Sequence, residues 1–453
     1  MKHAARIAIA ATLVVAWAAA LKALQGPPPE IRALIEEVIQ AANGNDEAWE
    51  AFAQKSFAPP YLKQQTPAQR AALHQQIVAR FGTVARGPVV REGPDAPLQI
   101  TIKGSKASGM LAVSVDDTTF RITSLALDAS SSSRDPGAIN LPPVSIDRTM
   151  TSDEIDRRLH DYFTGLTKDD VFSGVALVAK NGVLVFLRAY GSADRDKQVP
   201  NTVRTRFNIG SINKAFTQIA INQLIAAGQL SRADTLGKFY PDYPQAASRA
   251  ATVDQLLNHR GGLADFFGPQ FESSNKKDSD SNADYFRFVG SLPSLFSPGE
   301  RNQYCNGCYI ALGAIVEKVS GMSYEQYLAD HVFARAEMTS TGYPRSDQPA
   351  SDIALGYTRR AGGGSLQSNI ALHGVTGSAA GGGYSTVLDL LTFVKAVKAG
   401  AFPGTAADMG IAGGAPGTSA VVESSGEWTV IVVTNFDPPT GEQLGTLIAR
   451  ALR

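Results

Sequence analysis

The 453-residue chain predicts an α+β protein: a small α+β unit followed by a larger one, in which an antiparallel sheet flanked by helices carries an inserted all-helical lobe. Three observations predict this. Apolar spacing changes from a helical to an alternating period between residues 30 and 127. A polar, Ser- and Pro-rich stretch without periodicity then runs from Ala129 to Pro143. Beyond it, two hairpin signals stand at opposite ends of the remaining chain, with helical and loop-like segments between them. The length also exceeds the roughly 100–200 residues usual for one domain.

At the N-terminus, Lys2, His3 and Arg6 precede an apolar run from Ile7 to Leu21, with small residues at Ala18 and Ala20 that suit a signal peptidase. We expect residues 1–25 to be a signal peptide, cleaved on export to the periplasm or beyond, leaving no membrane span. The alternative is an uncleaved anchor with Lys22 snorkelling to the interface.

Residues 26–128 form the expected small domain. Ile31, Ile35, Val38, Ile39 and Ala42 make one helical stripe that stops at Asn43-Gly44, and a second helix follows. In TPAQRAALHQQIVARFG, Thr66 caps a helix with Pro67 in its first turn and Gln69 completing a capping box, and Leu73, Ile77, Val78 and Phe81 are the expected core face. From about 97 to 127 a period of two marks three short strands. Helices followed by a small sheet are similar to NTF2-like or cystatin-like modules. Residues 129–148 are the expected linker.

The second domain, 149–453, opens with the helix SDEIDRRLHDYFTGL. A hairpin follows, FSGVALVAKNGVLVFLRAYG, whose Asn181-Gly182 pair is a strong turn signal. TSAVVESSGEWTVIVVTNFD is a second hairpin, succeeded by a helix with Leu444, Leu447, Ile448 and Leu452 on one side. Strands at both ends predict one sheet built from the two termini of the domain.

The 42 basic and 42 acidic residues cancel, which removes any composition-level case for nucleic acid or an anionic membrane as the main partner. A small molecule or a protein remains. Two cysteines, Cys305 and Cys308, exclude a disulfide framework and, with few histidines nearby, supply too few ligands for zinc.

Chemistry concentrates in RFNIGSINKAFTQIAINQLIAAG. Ser211 and Lys214 stand three apart at the start of an apolar helix, so the amine can reach the hydroxyl. A serine hydroxyl needs a base, and a lysine near its ordinary pKa of about 10.4 is not one until desolvation pushes it down. The helix N-terminus adds a positive field that favours the same shift and an oxyanion near Ser211.

These residues belong to a larger pattern. FNIGSINKAF, TVDQLLNHRGGLADFFGP, PGERNQYCNGCYIALGAIVEKVSG and GGGYSTVLDLLTFVKAVKAG, in this order, resemble the penicillin-recognising serine hydrolases: class C β-lactamases, D-amino-acid peptidases and esterases of that fold. The resemblance covers roughly 150–453. It implies the β-lactamase/transpeptidase-like architecture, with Ser211 as acylated nucleophile and Lys214 as its proton partner. The family's Tyr-x-Asn falls on Tyr304-Cys305-Asn306, implying that Tyr304 shuttles a proton and Asn306 orients Lys214 or the substrate. Read alone, Asn306 would be a helix N-cap. His259 of LLNHRGG corresponds to a packing histidine.

The third family motif, Lys-Thr-Gly or His-x-Gly, best matches Ile411-Ala412-Gly413, with Ile411 in the charged position. Gly413 and Gly414 keep the flexibility for close approach, so the Gly414 and Ser211 amides are expected to form an oxyanion hole. Loss of the cation argues against carboxylate-held substrates such as β-lactams and D-Ala-D-Ala peptides, and in favour of neutral esters or amides. Cys305 and Cys308 either oxidise to a clamp beside Tyr304 or are two small buried residues. The expected function is an exported serine hydrolase that needs no metal or cofactor. A weak or inactive module binding a cell-wall fragment or partner is the alternative, and a β-lactamase or D-amino-acid peptidase a further one.

Overall fold

A computed structural model describes residues 29–90, 98–105, 108–116, 118–127, 141–348, 350–359 and 365–453. The expected signal peptide, 1–25, and residues 129–140 of the expected linker lie outside the described residues. The chain divides into two compact units, Met1–Gly137 and Ala138–Arg453.

In the first unit, helices α1 (Pro29–Ala42), α2 (Asp46–Ser56), α3 (Pro59–Gln64) and α4 (Pro67–Phe81) precede strands β1 (Val84–Val90), β2 (Leu98–Gly104), β3 (Ser108–Val115) and β4 (Ile122–Leu127), paired antiparallel in that order. Thr66 and Gln69 form the predicted capping box. The core joins Ile35, Val38, Trp49, Phe57, Ile77 and Phe81 to Ile100, Leu111 and Ile122. Two expectations need correction. β1 was absent from the predicted strands. Val78 is 39 % exposed, because Arg70 and His74 take the inward positions of α4 instead. Glu50 lies 2.7 Å from Arg70 Nε, and Asp46 lies 2.6 Å from His74 Nδ1.

The second unit begins with α5 (Ser152–Lys168), capped by Thr151 and Glu154. β5 (Gly174–Lys180) and β6 (Val183–Tyr190) follow as the expected hairpin, and Asn181 and Gly182 both have positive φ, 50° and 73°, as a tight turn of this hand requires. Helices α6 (Asn213–Ala226), α7 (Asn282–Ser291), α8 (Asn306–Ser320) and α9 (Val387–Lys398) occupy the middle of the chain. β7 (Met409–Ala415), β8 (Thr418–Ser425) and β9 (Trp428–Thr434) then return to the sheet, and α10 (Thr440–Leu452) closes the chain. The strand order is β7-β8-β9-β5-β6, antiparallel throughout, so β9 from the C-terminal end pairs with β5 from the N-terminal end.

The sheet is covered on both faces, which is why GVALVAK and WTVIVVT are nearly continuous apolar runs. Ala176, Val178, Val430 and Val432 pack with Leu159, Phe163, Leu444 and Ile448 of α5 and α10. The opposite face, Val175, Leu177, Ile431 and Val433, belongs to the core that includes Phe216 and Ala220 of α6, Leu312 of α8 and Phe393 of α9. β7 ends the sheet on one side, leaving one strand edge turned away from β8.

Candidate active site

Ser211 sits in a single 3-10 turn, Gly210–Ile212, that feeds directly into α6. Gly210 has φ of +50°, and a Cβ there would stand 2.7 Å from the Gly414 amide nitrogen. A Cβ on Gly413 would fall 2.0 Å from the Ile209 carbonyl oxygen and 2.6 Å from the Ser211 nitrogen. Neither approach leaves room for a side chain. The two glycines thus let the unpaired edge of β7 lie against the Ser211 turn, with the Ser211 and Gly414 nitrogens on either side of the contact. Ile411 shares the face of β7 that Gly413 turns to Ser211, since residues two apart in a strand point the same way. It is partly buried against the lobe core.

Around Ser211 the predicted side chains converge. The Lys214 Nζ lies 3.1 Å from Ser211 Oγ, and the Tyr304 hydroxyl donates to the same oxygen at 2.6 Å. Lys214 also donates to Asn306 Oδ1 at 2.8 Å and to the Ala380 carbonyl. Its ammonium position is 4.9 Å from the Tyr304 ring centre and 5.5 Å from that of Tyr309. Only 6 % of Lys214 is exposed. Burial pushes the amine down to about 7, partly offset by the negative charge of Asp265.

Tyr304 is 43 % exposed, yet the packing around its hydroxyl pushes the phenol up to about 12, so it stays protonated. Its ring stacks on His259 with centres 4.8 Å apart. His259 Nδ1 accepts the Cys305 N–H at 3.1 Å, which leaves the proton on Nε2, and burial followed by the nearby Lys214 charge pushes the imidazole down to about 4. Among its described contacts His259 makes no hydrogen bond to Ser211; it braces Tyr304.

Cys305 and Cys308 form a disulfide with Cα atoms 5.3 Å apart. Cys305 is the N-cap of α8, so Asn306 is the first residue of the helix rather than its cap, and its amide is free to enter the cluster. Asp265 is the residue sequence reasoning missed. Its carboxylate accepts from Asn306 Nδ2 at 3.2 and 2.9 Å, and burial pushes its pKa up. The signal in the sequence was one acid inside the apolar run Leu263-Ala264-Asp265-Phe266-Phe267. The Ala380 carbonyl, a backbone group, had no signal at all.

The arrangement sets the Ser211 hydroxyl between an amine lowered to about 7 and a protonated phenol, next to the strand edge that carries the Gly414 nitrogen, and these are groups that acyl transfer through a serine uses. The described residues contain no group of three or more metal-ligating side chains, and no helix among them is long and apolar enough to cross a membrane.

Comparison with known proteins agrees in kind. The family model described as Beta-lactamase matches residues 159–418. A penicillin-binding protein of Bacillus subtilis is 30 % identical over 206 residues, 44 % of this chain and 45 % of that protein. The chain therefore spans less than half the length of this curated relative. A penicillin-binding protein structure from Bacillus halodurans superposes with a TM-score of 0.56 at 27 % identity, over 63 % of this chain and 99 % of that one. A D-amino acid amidase from Ochrobactrum anthropi shares the fold, with a TM-score of 0.52 at 22 % identity, over 65 % of this chain and 97 % of the amidase.

Proposed function

This chain belongs to the beta-lactamase family, and from that membership together with the cluster around Ser211 we propose that it is an exported serine hydrolase of neutral esters and amides. The observation that carries the reading is the placing of Lys214 Nζ and the Tyr304 hydroxyl 3.1 and 2.6 Å from Ser211 Oγ.

In the first half of the reaction the Ser211 proton passes to neutral Lys214 as Oγ bonds to the substrate carbonyl carbon. The carbonyl oxygen gathers negative charge between the Ser211 and Gly414 amides. Collapse breaks the bond to the alcohol or amine, which takes up a proton relayed from Lys214 through the Tyr304 hydroxyl. Water then gives a proton back along the same path and attacks the acyl-enzyme, releasing the acid and restoring Ser211.

Ile411 supports the preference for neutral substrates. Where relatives of the family pattern carry a cation, this side chain offers no partner to a substrate carboxylate, and a charge-assisted hydrogen bond of roughly 1.5–3 kcal/mol is absent. The same residue motivates the second reading, a non-hydrolytic module that binds a cell-wall fragment or partner.

A fluorophosphonate probe and short p-nitrophenyl esters separate the two. The hydrolase reading expects labelling and ester turnover by the wild type and neither by Ser211→Ala, with little turnover of nitrocefin. Wild-type protein that neither labels nor hydrolyses any of these esters is the binder, and efficient nitrocefin turnover would return the site to β-lactamase chemistry.

A further inference from the structure

The Asn306 side chain links two groups that cannot exchange roles. On one side both Asp265 oxygens lie 3.2 and 2.9 Å from Nδ2, across 41 residues of sequence. Asp265 is itself fixed, accepting the Phe267 N–H at 3.0 Å. On the other side Oδ1 meets Lys214 Nζ at 2.8 Å. Asn306 is only 7 % exposed, so water does not compete freely for either end.

An ionised carboxylate only accepts hydrogen bonds, whereas a primary amide donates at one end and accepts at the other. Asp265 therefore decides which end of Asn306 faces Lys214, and it selects the acceptor. A neutral amine has two hydrogens and one lone pair. With Asn306 Oδ1 and the Ala380 carbonyl taking the hydrogens, the lone pair is left for the Ser211 hydroxyl. Reversal of the amide would put an N–H on that lone pair and leave Ser211 without a base.

We propose that Asp265 is a positioning residue of this site: by holding the Asn306 amide in one orientation it aims the Lys214 lone pair at Ser211. The proposal rests on the hydrolase reading for its consequence in catalysis, though not for the orientation itself. The groups that face Lys214 are Ser211 and Asn306, the Tyr304 and Tyr309 rings, His259, which is held neutral, and Asp265 through Asn306. Removing the Asp265 charge lets burial act on the amine with less opposition, and an amide turned to donate to the lone pair favours the neutral amine further. Both effects lower the Lys214 midpoint.

The experiment is an NMR titration of full-length protein carrying 13Cε-lysine, with the Lys214 signal assigned by its absence in Lys214→Arg, alongside fluorophosphonate labelling rates across pH. Asp265→Asn is expected to move the Lys214 midpoint below that of wild type while the plateau labelling rate falls on the order of 10- to 100-fold. Asp265→Glu, which keeps the charge and the obligate acceptor, is expected to hold the midpoint and recover most of the rate. A merely structural role would reduce the amount of labelled protein and leave the midpoint in place. An Asp265→Asn protein with the wild-type midpoint and rate overturns the proposal. If the midpoint falls but wild-type Ser211 never labels, the coupling of Asp265 to Lys214 stands, its aim at Ser211 is overturned and the hydrolase reading fails.

Discussion

At Ser211, two hydrogen-bonding neighbours act in opposite senses. Lys214 is forced toward neutrality by burial and can take a proton, while Tyr304 is forced to keep its own and can give one. Exchanging Tyr304 for Phe retains the ring that stacks on His259 and removes only the donor 2.6 Å from Oγ. Tyr304→Phe should therefore keep the fold, read by an unchanged Tm, and lower kcat for a p-nitrophenyl ester by roughly 10²–10⁴-fold. Unchanged kcat would remove the phenol from the proton path. Lys214, Tyr304 and Asn306 around Ser211 were legible in the sequence because Ser-x-x-Lys and Tyr-x-Asn are short motifs in a recognisable order. Asp265 was not, because its partner lies 41 residues away and nothing local to Leu263-Ala264-Asp265 announces that contact.

Among the elements, β7 does the most for the site, since its free edge brings Gly413 and Gly414 against the turn that carries Ser211. The geometry is intolerant. A methyl group on Gly413 would meet the Ile209 carbonyl at 2.0 Å, and backbone cannot swing aside as a flexible side chain can. Gly413→Ala should cost about 1–3 kcal/mol, read by urea denaturation, and should displace the Gly414 amide enough to depress kcat more than it raises KM. An Ala variant with wild-type stability and kcat would show that the strand does not approach Ser211 this closely. The match of Ile411-Ala412-Gly413 to the third family motif pointed to this segment from sequence, and the Asn181-Gly182 turn pointed to β5 and β6. β1 escaped because Gly87-Pro88 in its middle reads as a breaker; it is tolerated at the edge of its sheet, where the register also slips between Arg86 and Val89. The inward face of α4 was misread at Val78 for a comparable reason: hydrogen bonds to Glu50 and Asp46 let Arg70 and His74 occupy core positions that composition alone would deny them.

Across the second unit as a whole, the sheet, the lobe and the returning C-terminal strands are needed together to strip water from one amine. Lys214 comes from α6, Tyr304 from the loop just before α8, Asn306 from the first turn of α8, Ala380 from the segment before α9, and the amide of Gly414 from β7. Hairpin signals at both ends of the domain, with helical segments between them, made this layered arrangement readable. The desolvation of the amine was expected from the apolar helix that carries it, whereas Asp265 and the Ala380 carbonyl were not, because they reach it from distant segments. The sign of its consequence follows directly. A lysine lowered from 10.5 to about 7 loses its proton as pH rises through neutrality, so Ser211 acquires its base there, while the phenol near 12 stays protonated throughout. The most direct measurement is the rate of fluorophosphonate adduct formation on the Ser211 peptide, followed by mass spectrometry from pH 5 to pH 10. The rate should climb tenfold per unit below a midpoint near 7, flatten above it, and vanish in Lys214→Met. A rate still climbing toward pH 10, or an adduct that forms as quickly without Lys214, would contradict the account.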